Sequence, residues 1–242
     1  MIVLVTDFGL RGPYVGQLHA VLRARAPGVD IVNLFADAPA FDPAATSYLL
    51  AAYCAGFAAG TVFLCVVDPG VGSSGHRPVC VRAGGHWFVG PHNGLFDVVL
   101  ERHADSHRSV EEIIWRPELL SASFHGRDLY APVAAMLACG QLPARRALPV
   151  PAAGSTPADL DATVYVDGYG NVMTGRRACT VAPDALLRLG PHALQRRRTF
   201  ADVPGTTPFW YENSNGLAEI AVNRGSAAAL LNIGIGVRVS FE

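Results

Sequence analysis

Three short apolar runs, Ile2 to Thr6, Asp30 to Phe35 and Thr61 to Val67, punctuate the first third of the chain, and the first and third stop at an aspartate, Asp7 and Asp68. Continuous apolar runs of this length, rich in β-branched residues, predict strands buried on both faces. The stretches between them predict helices. One opens at Gly12-Pro13, with proline in the tolerated first turn, and runs to about Ala26. The other opens at Asp42-Pro43, an N-cap residue followed by proline, and runs to about Phe57. His76 to Arg82 and Ser109 to Trp115 read as further strands, and Leu129 to Leu137 as a helix. Strands alternating with helices in this way predict a parallel sheet covered on both faces. In such sheets ligands bind at the carboxyl ends of the strands, so Asp7 and Asp68 are expected to face one crevice.

The pattern changes after residue 140. Residues 141–160 hold four prolines among small residues and Arg145-Arg146, a linker composition. Beyond it, short runs such as T-V-Y-V-D, P-F-W-Y-E and L-A-E-I-A-V are separated by Gly, Pro and Asn, which predicts an all-β domain. The expected organisation is an α/β N-terminal domain over residues 1–145, a linker over 146–160 and a smaller β-barrel-like C-terminal domain over 161–242. The stretch from Pro43 to Val67 carries no charge and is long enough to span a bilayer. Gly56 and Gly60 interrupt it, its composition changes midway and no arginine flanks it, so it reads as a helix followed by a strand.

Composition narrows the chemistry. All nineteen basic side chains are arginine. Without lysine the chain forms no Schiff base and supplies no Walker A or kinase lysine. Twenty acids against nineteen arginines leave a formal charge of -1, so no global basic field holds nucleic acid. Five cysteines, Cys54, Cys65, Cys80, Cys139 and Cys179, are dispersed and form no C-x-x-C, which reads as buried thiols of a reduced, cytoplasmic protein. No basic segment followed by an apolar run opens the chain, so no signal peptide is expected.

Gly70 to Gly75 satisfies G-x-G-x-x-G, but a strand rather than a helix is expected after it, so the loop reads as a glycine-rich turn beside Asp68 and not as a dinucleotide site. His103 and His107, four apart, lack a third ligand and read as a surface pair, and Arg196 to Arg198 as a solvated strand edge. In S-F-H-G-R-D-L-Y-A-P, His125, Arg127 and Asp128 offer a base and a cation aimed at the crevice, unless Asp128 is only a helix cap. D-G-Y-G-N and E-N-S-N-G combine turn formers with donors and acceptors, and aromatic faces beside polar groups in F-W-Y-E-N-S-N-G suit a planar heterocycle with a polar tail.

Read in order, T-D-F-G-L-R-G-P-Y-V-G, V-V-D-P-G-V-G, G-P-H-N-G-L-F, S-F-H-G-R-D-L-Y-A-P, V-D-G-Y-G-N and E-N-S-N-G-L-A-E-I-A-V-N closely resemble the adenosine-forming S-adenosyl-L-methionine (SAM) hydrolases, or SAM hydroxide adenosyltransferases, relatives of the SAM-dependent fluorinase and chlorinase. The resemblance runs from Ile2 to about Leu231. It implies hydrolysis of SAM to adenosine and L-methionine with no cofactor or metal. It also implies a homotrimer whose active sites lie between the N-terminal domain of one subunit and the C-terminal domain of the next. Carried over by motif, Asp7 would accept hydrogen bonds from the ribose hydroxyls and Phe41 would wall the sugar pocket. Asp68 and His125 would hold the attacking water. Asp167 and Ser214 would hold the amino-acid end, Phe200 would stack on adenine, and Asn171 with the backbone of Val222 and Arg224 would read its edge. Two positions depart from the family's pattern. Gly75 stands where an arginine is usual, leaving Arg77 or His76 to take its part, with Arg77 assigned to the catalytic set; and His92 stands where aspartate is usual. A carboxylate at Asp68 would repel a halide by several kcal/mol, on the order expected at low dielectric, which favours hydrolysis over halogenation. A SAM-dependent halogenase and a non-catalytic SAM or adenosine sensor are the alternatives.

Overall fold

A computed structural model describes all of residues 1–242 and resolves two compact units, residues 1–51 with 57–156 and residues 52–56 with 157–242. In the first unit, β1 (Ile2–Thr6), α1 (Tyr14–Arg25), β2 (Ile31–Phe35), α2 (Pro43–Tyr53) and β3 (Val62–Val66) follow the alternation expected. The charge-free stretch is thus divided between a helix and a strand, and no helix of the protein is long and apolar enough to cross a membrane.

Next come β4 (Pro78–Ala83), β5 (His86–Pro91), α3 (Asp97–Arg102), β6 (Ser109–Ile113), α4 (Ala131–Ala138) and β7 (Arg145–Leu148). The seven strands form one sheet in the order β2-β1-β3-β5-β4-β6-β7. It is parallel across β2, β1, β3 and β5 and antiparallel from β5 through β4 and β6 to β7. The change of direction has a local cause. Gly84 and Gly85, both at positive φ, close a tight hairpin between β4 and β5, so no crossover helix intervenes. Arg145 and Arg146, at the start of the proline-rich stretch, do not begin a linker: β7 pairs with β6, and the two arginines are bonded to Glu111 and Glu112.

Alternation along the strands supplies two buried faces. Ile2, Leu4, Val62, Leu64 and Val66 pack with Leu18 and Leu22 of α1 and with Val133, Ala134 and Leu137 of α4. Phe63 and Phe88 stack at 5.1 Å, with Phe57 edge-on to Phe63 and Phe96 beside Phe88. Helix α3 ends at Arg102, so His103 and His107 do not share a helical face.

The second unit contains β8 (Leu160–Val166), β9 (Val172–Arg177), β10 (Leu187–Leu189), β11 (His192–Leu194), β12 (Pro208–Glu212), β13 (Leu217–Val222), α5 (Ala227–Leu231) and β14 (Ser240–Phe241). Its strands form two antiparallel sheets, β12-β13-β9-β8 and β11-β10-β14. Trp210, Ile220, Val172 and Leu187 lie in their common core with Ala227 of α5. Apart from α5, the short segment 52–56 and the brief 3-10 turns at Ala178–Thr180 and Phe200–Asp202, the unit is built from β structure and turns, as its Gly, Pro and Asn spacing indicates.

Cysteine placement differs in part from expectation. Cys54, Cys65 and Cys80 are buried, but Cys139 and Cys179 are exposed: Cys139 follows directly on the end of α4, and Cys179 sits within the short helical turn Ala178–Thr180. Burial pushes the Cys80 thiol up to about 12. A thiol reagent added to native protein is therefore expected to modify two cysteines rapidly and the other three only on unfolding; rapid modification of more than two would contradict the packing around β3 and β4.

Candidate active site

Strands β1 and β3 are neighbours in parallel register, Thr6 opposite Val66. Asp7 follows directly on the carboxyl end of β1 and Asp68 lies one residue beyond that of β3, so one crevice receives both carboxylates. With Phe8, Tyr14, Phe41, Phe124 and His125 they line a cavity of about 350 Å³. Phe8, Tyr14 and Phe124 form an aromatic wall with ring centroids 5.3–5.7 Å apart. Phe41 has φ 59°, a left-handed conformation uncommon for a bulky residue, and its N–H donates to Asp7 Oδ2 at 2.9 Å. Burial raises the Asp7 pKa, while that N–H opposes the rise.

The loop after β3 carries Asp68 and His76. Gly72 is required there, at φ 78°, because a Cβ would lie 2.4 Å from the Ala122 carbonyl oxygen. The return of this loop brings His76 Nε2 to 2.7 Å from Asp68 Oδ2, with side chains only 6% and 5% exposed. Tyr130 completes the network: its hydroxyl lies 2.9 Å from His76 Nε2 and donates to Asp68 Oδ2 at 3.4 Å. Asp68 Oδ2 is thus engaged from two sides, while the hydrogen bonds leave Oδ1 unclaimed. Asn93 secures the strand end by donating to the Val67 carbonyl at 3.0 Å.

His125 precedes and Tyr130 ends a single π-helical turn, Gly126–Tyr130, closed by the Ala131 N–H bonding back to the Gly126 carbonyl. Such turns often occur at functional sites. The His125 ring stands 4.8 Å from that of His76, and its Nδ1 is buried without a hydrogen-bond partner. An unpaired buried nitrogen costs roughly 1–3 kcal/mol, so the site gains from a ligand or water that binds there. Burial and then the neighbouring His76 lower the His125 pKa, against the opposing pull of Asp68.

Three expectations change on this geometry. Arg77 is exposed, is not part of the Asp68 cluster and meets it only through the chain; its carbonyl accepts from the His92 N–H at 2.8 Å. His76 stands beside Asp68 instead. His92 is exposed at the surface. Arg127 is paired with Asp128 and lies over the Phe124 ring, so this cation braces the aromatic wall; Asp128 takes the Ser121 N–H and caps no helix.

The second unit holds a larger cavity, about 880 Å³, which Asp167, Asn171, Phe200, Ser214, Val222 and Arg224 all line. The residues singled out in its two turn motifs are thus together. Asp167 organises the first turn, accepting from the Tyr169 and Asn171 N–H groups and from Asn171 Nδ2, each at 2.9 Å. Ser214 is exposed, and Phe200 stands edge-on to Phe209 and Tyr211. Arg224 adopts φ 58° in the turn that leaves β13.

Sequence reasoning passed over Glu219 and Tyr53, which share this cavity with Tyr211 of the aromatic F-W-Y-E span. Glu219 is 3% exposed, with Tyr211 donating to Oε1 at 2.6 Å and Asn213 to Oε2 at 2.8 Å. Burial raises its pKa, and the hydrogen bonds from Tyr211 and Asn213 oppose the rise. The signal was present in L-A-E-I-A-V, an acid inside an otherwise apolar strand. Two carboxyl groups, Asp167 and Glu219, give this cavity a preference for a cationic ligand, and its aromatic rim offers faces for a heterocycle. No group of three or more His, Cys, Asp or Glu side chains is arranged to hold a metal ion.

Comparison with known proteins finds similarity along nearly the whole chain. Residues 2–146 match the SAM hydroxide adenosyltransferase N-terminal domain and residues 162–240 the C-terminal domain. The chain is 35% identical to the (R)-S-adenosyl-L-methionine hydrolase of Thermus thermophilus, over 98% of each protein, and 32% identical to that of Salinispora tropica, over 98% of this chain and 96% of that one. Among solved structures, a conserved protein of Thermotoga maritima superposes with a TM-score of 0.87 at 30% identity over the whole of both chains. A conserved hypothetical protein of Thermus thermophilus gives 0.77 at 33% identity, covering 100% of this chain and 99% of that one. On fold, motifs and full-length similarity, the chain belongs to the SAM hydroxide adenosyltransferase family.

Proposed function

We infer that this protein hydrolyses S-adenosyl-L-methionine to adenosine and L-methionine, the relatives' named (R) epimer being the proposed substrate. Water attacks the ribose 5′ carbon in line with the departing sulfur. A sulfonium carries its positive charge in the ground state and leaves as a neutral thioether, so departure needs neither a general acid nor a covalent nucleophile. What remains is to hold the water and accept its proton. The observation that carries the reading is Asp68, whose Oδ2 is held by His76 and Tyr130 while Oδ1 is left to accept. His125, with its unpaired buried nitrogen, is the second ligand for that water.

In this reading Asp7 accepts from the ribose hydroxyls and Phe41 walls the sugar. Asp167 and Ser214 hold the amino-acid end, and Phe200 packs against adenine, whose edge meets Asn171 and the backbone of Val222 and Arg224. The protein acts as a homotrimer in which the first unit of one copy and the second unit of the next complete each site. Support for that assembly is the partition of chemistry, with the water-holding groups in one unit and the cation-attracting cavity in the other. A cytoplasmic location belongs to the same reading, favoured by two exposed free thiols.

Incubation with SAM and chloride, followed by chromatography, is expected to yield adenosine and methionine in equal amounts. A 5′-halo-5′-deoxyadenosine product would overturn hydrolysis in favour of halogenation, and unchanged substrate would indicate a sensor. Light scattering on the same sample tests the trimer.

A further inference from the structure

Hydrolysis of a sulfonium has a proton to dispose of. The O–C5′ bond forms from a water lone pair, the C5′–S bond breaks with its electron pair passing to sulfur, and the substrate's positive charge leaves as one proton from water. Halide attack would release none. Asp68 is the first acceptor, but a carboxyl that faces the substrate has to be emptied before the next turnover.

His76 is placed to empty it: in its Nδ1–H form the bare Nε2 accepts the proton once the carboxyl turns its protonated oxygen from the water toward the ring, and Nδ1 then releases its own proton. Its Nε2 is 2.7 Å from Asp68 Oδ2, and the ring is nearly as buried as the carboxylate. Asp68 lines the cavity beside Asp7, whereas His76 lines a second cavity of about 250 Å³ whose wall also includes Ser73, Arg116 and Ala122. His125 lines both. Imidazole is the side chain whose ordinary titration falls near neutral pH, so it both takes and gives up a proton there. We propose that His76 carries the proton released in each turnover from Asp68 to this second cavity, away from the substrate. The proposal rests on the hydrolytic reading above.

The groups facing His76 are consistent with that role. Tyr130 is kept neutral, its pKa well above the usual phenol value through burial and then the charge of Asp68, so it fixes the ring by hydrogen bonding without competing for the proton. His125, 4.8 Å away, and Arg116 on the cavity wall disfavour a second positive charge. His76 also orients Asp68, and is therefore a positioning residue whose two roles are separable by experiment.

The test is kcat and KM across about pH 5–9, the span in which histidine titrates, for wild type, His76→Gln and His76→Ala. In the wild type kcat is expected to fall on the acid side, since a protonated His76 cannot accept. His76→Gln keeps an N–H for Asp68 but no proton acceptor. It is expected to turn over at least ~10-fold more slowly, with KM little changed and the acid limb displaced downward. Added imidazole is expected to restore turnover to His76→Ala in proportion to the free base. Wild-type rates with an unmoved acid limb in His76→Gln, or no revival of folded His76→Ala by imidazole, would overturn the proposal; His76→Gln alone decides if His76→Ala does not fold. A wild-type protein that makes no adenosine would defeat the hydrolytic reading itself. Turnover by wild type with unaltered variants would defeat only the proton route.

Discussion

Asp68→Asn is expected to slow turnover by at least ~100-fold, the usual scale for losing a positioned acid or base, while SAM still binds. That loss corresponds to about 2.7 kcal/mol in the barrier. The substitution keeps the shape of the side chain, so the loop from Gly70 to His76 has no steric reason to move. It removes the charge that His76 faces at 2.7 Å and replaces an oxygen able to take a proton with an amide that cannot. Single-turnover rates and equilibrium binding on the same preparation separate the two effects. Near-normal turnover would show that the water's proton goes elsewhere, with His125 the next candidate.

The largest expected loss of stability is at Trp210. Its ring is fully buried between the two sheets of the second unit, its Nε1 donates to the Ala185 carbonyl at 3.1 Å, and Phe241 and the Arg196 guanidinium cover it. Trp210→Ala removes that volume and leaves the carbonyl without its donor, a change expected to cost about 3–5 kcal/mol. Urea unfolding followed by far-ultraviolet circular dichroism reads it directly. The effect should extend to ligand binding, because Phe209 and Tyr211, its neighbours in β12, point to the opposite face and Tyr211 lines the larger cavity. A stability loss below about 1 kcal/mol would mean that the site collapses onto the space far better than cores of this density normally do.

Much of the architecture was legible because burial writes itself into the period of the sequence. Runs ending at Asp7 and Asp68 reported both the strands and the crevice, since a parallel sheet exposes polar residues only where its strands stop. The antiparallel half was harder to read. β5 begins at a histidine immediately after two glycines, and β7 sits among prolines, so neither announces itself as a strand. The exposure of Cys139 and Cys179 was hidden for a related reason, since a thiol's surroundings are set by how its helix or turn meets the surface and not by its neighbours in sequence. In the candidate site, residues that act from turns with distinctive composition were found together. Arg77 rather than His76 entered the catalytic set because a loop of glycines and serines has no period from which to infer direction. Glu219 was overlooked because its strand was read for its apolar character, although a lone acid in such a run has to be bonded or functional.

The π-helical turn at Gly126–Tyr130 makes the site depend on a count of residues as well as on their identities. At about 100° per residue, positions five apart on an α-helix point some 140° away from each other. Regular winding there would turn the Tyr130 hydroxyl aside from the ring that His125 faces. The wider turn, closed by a bond to the fifth residue, lets both side chains reach His76. Winding these residues as a regular α-helix with none removed would misdirect the phenol, whereas excising one would set the two side chains four apart, about 40° from each other; the wide turn thus absorbs one extra residue in the count.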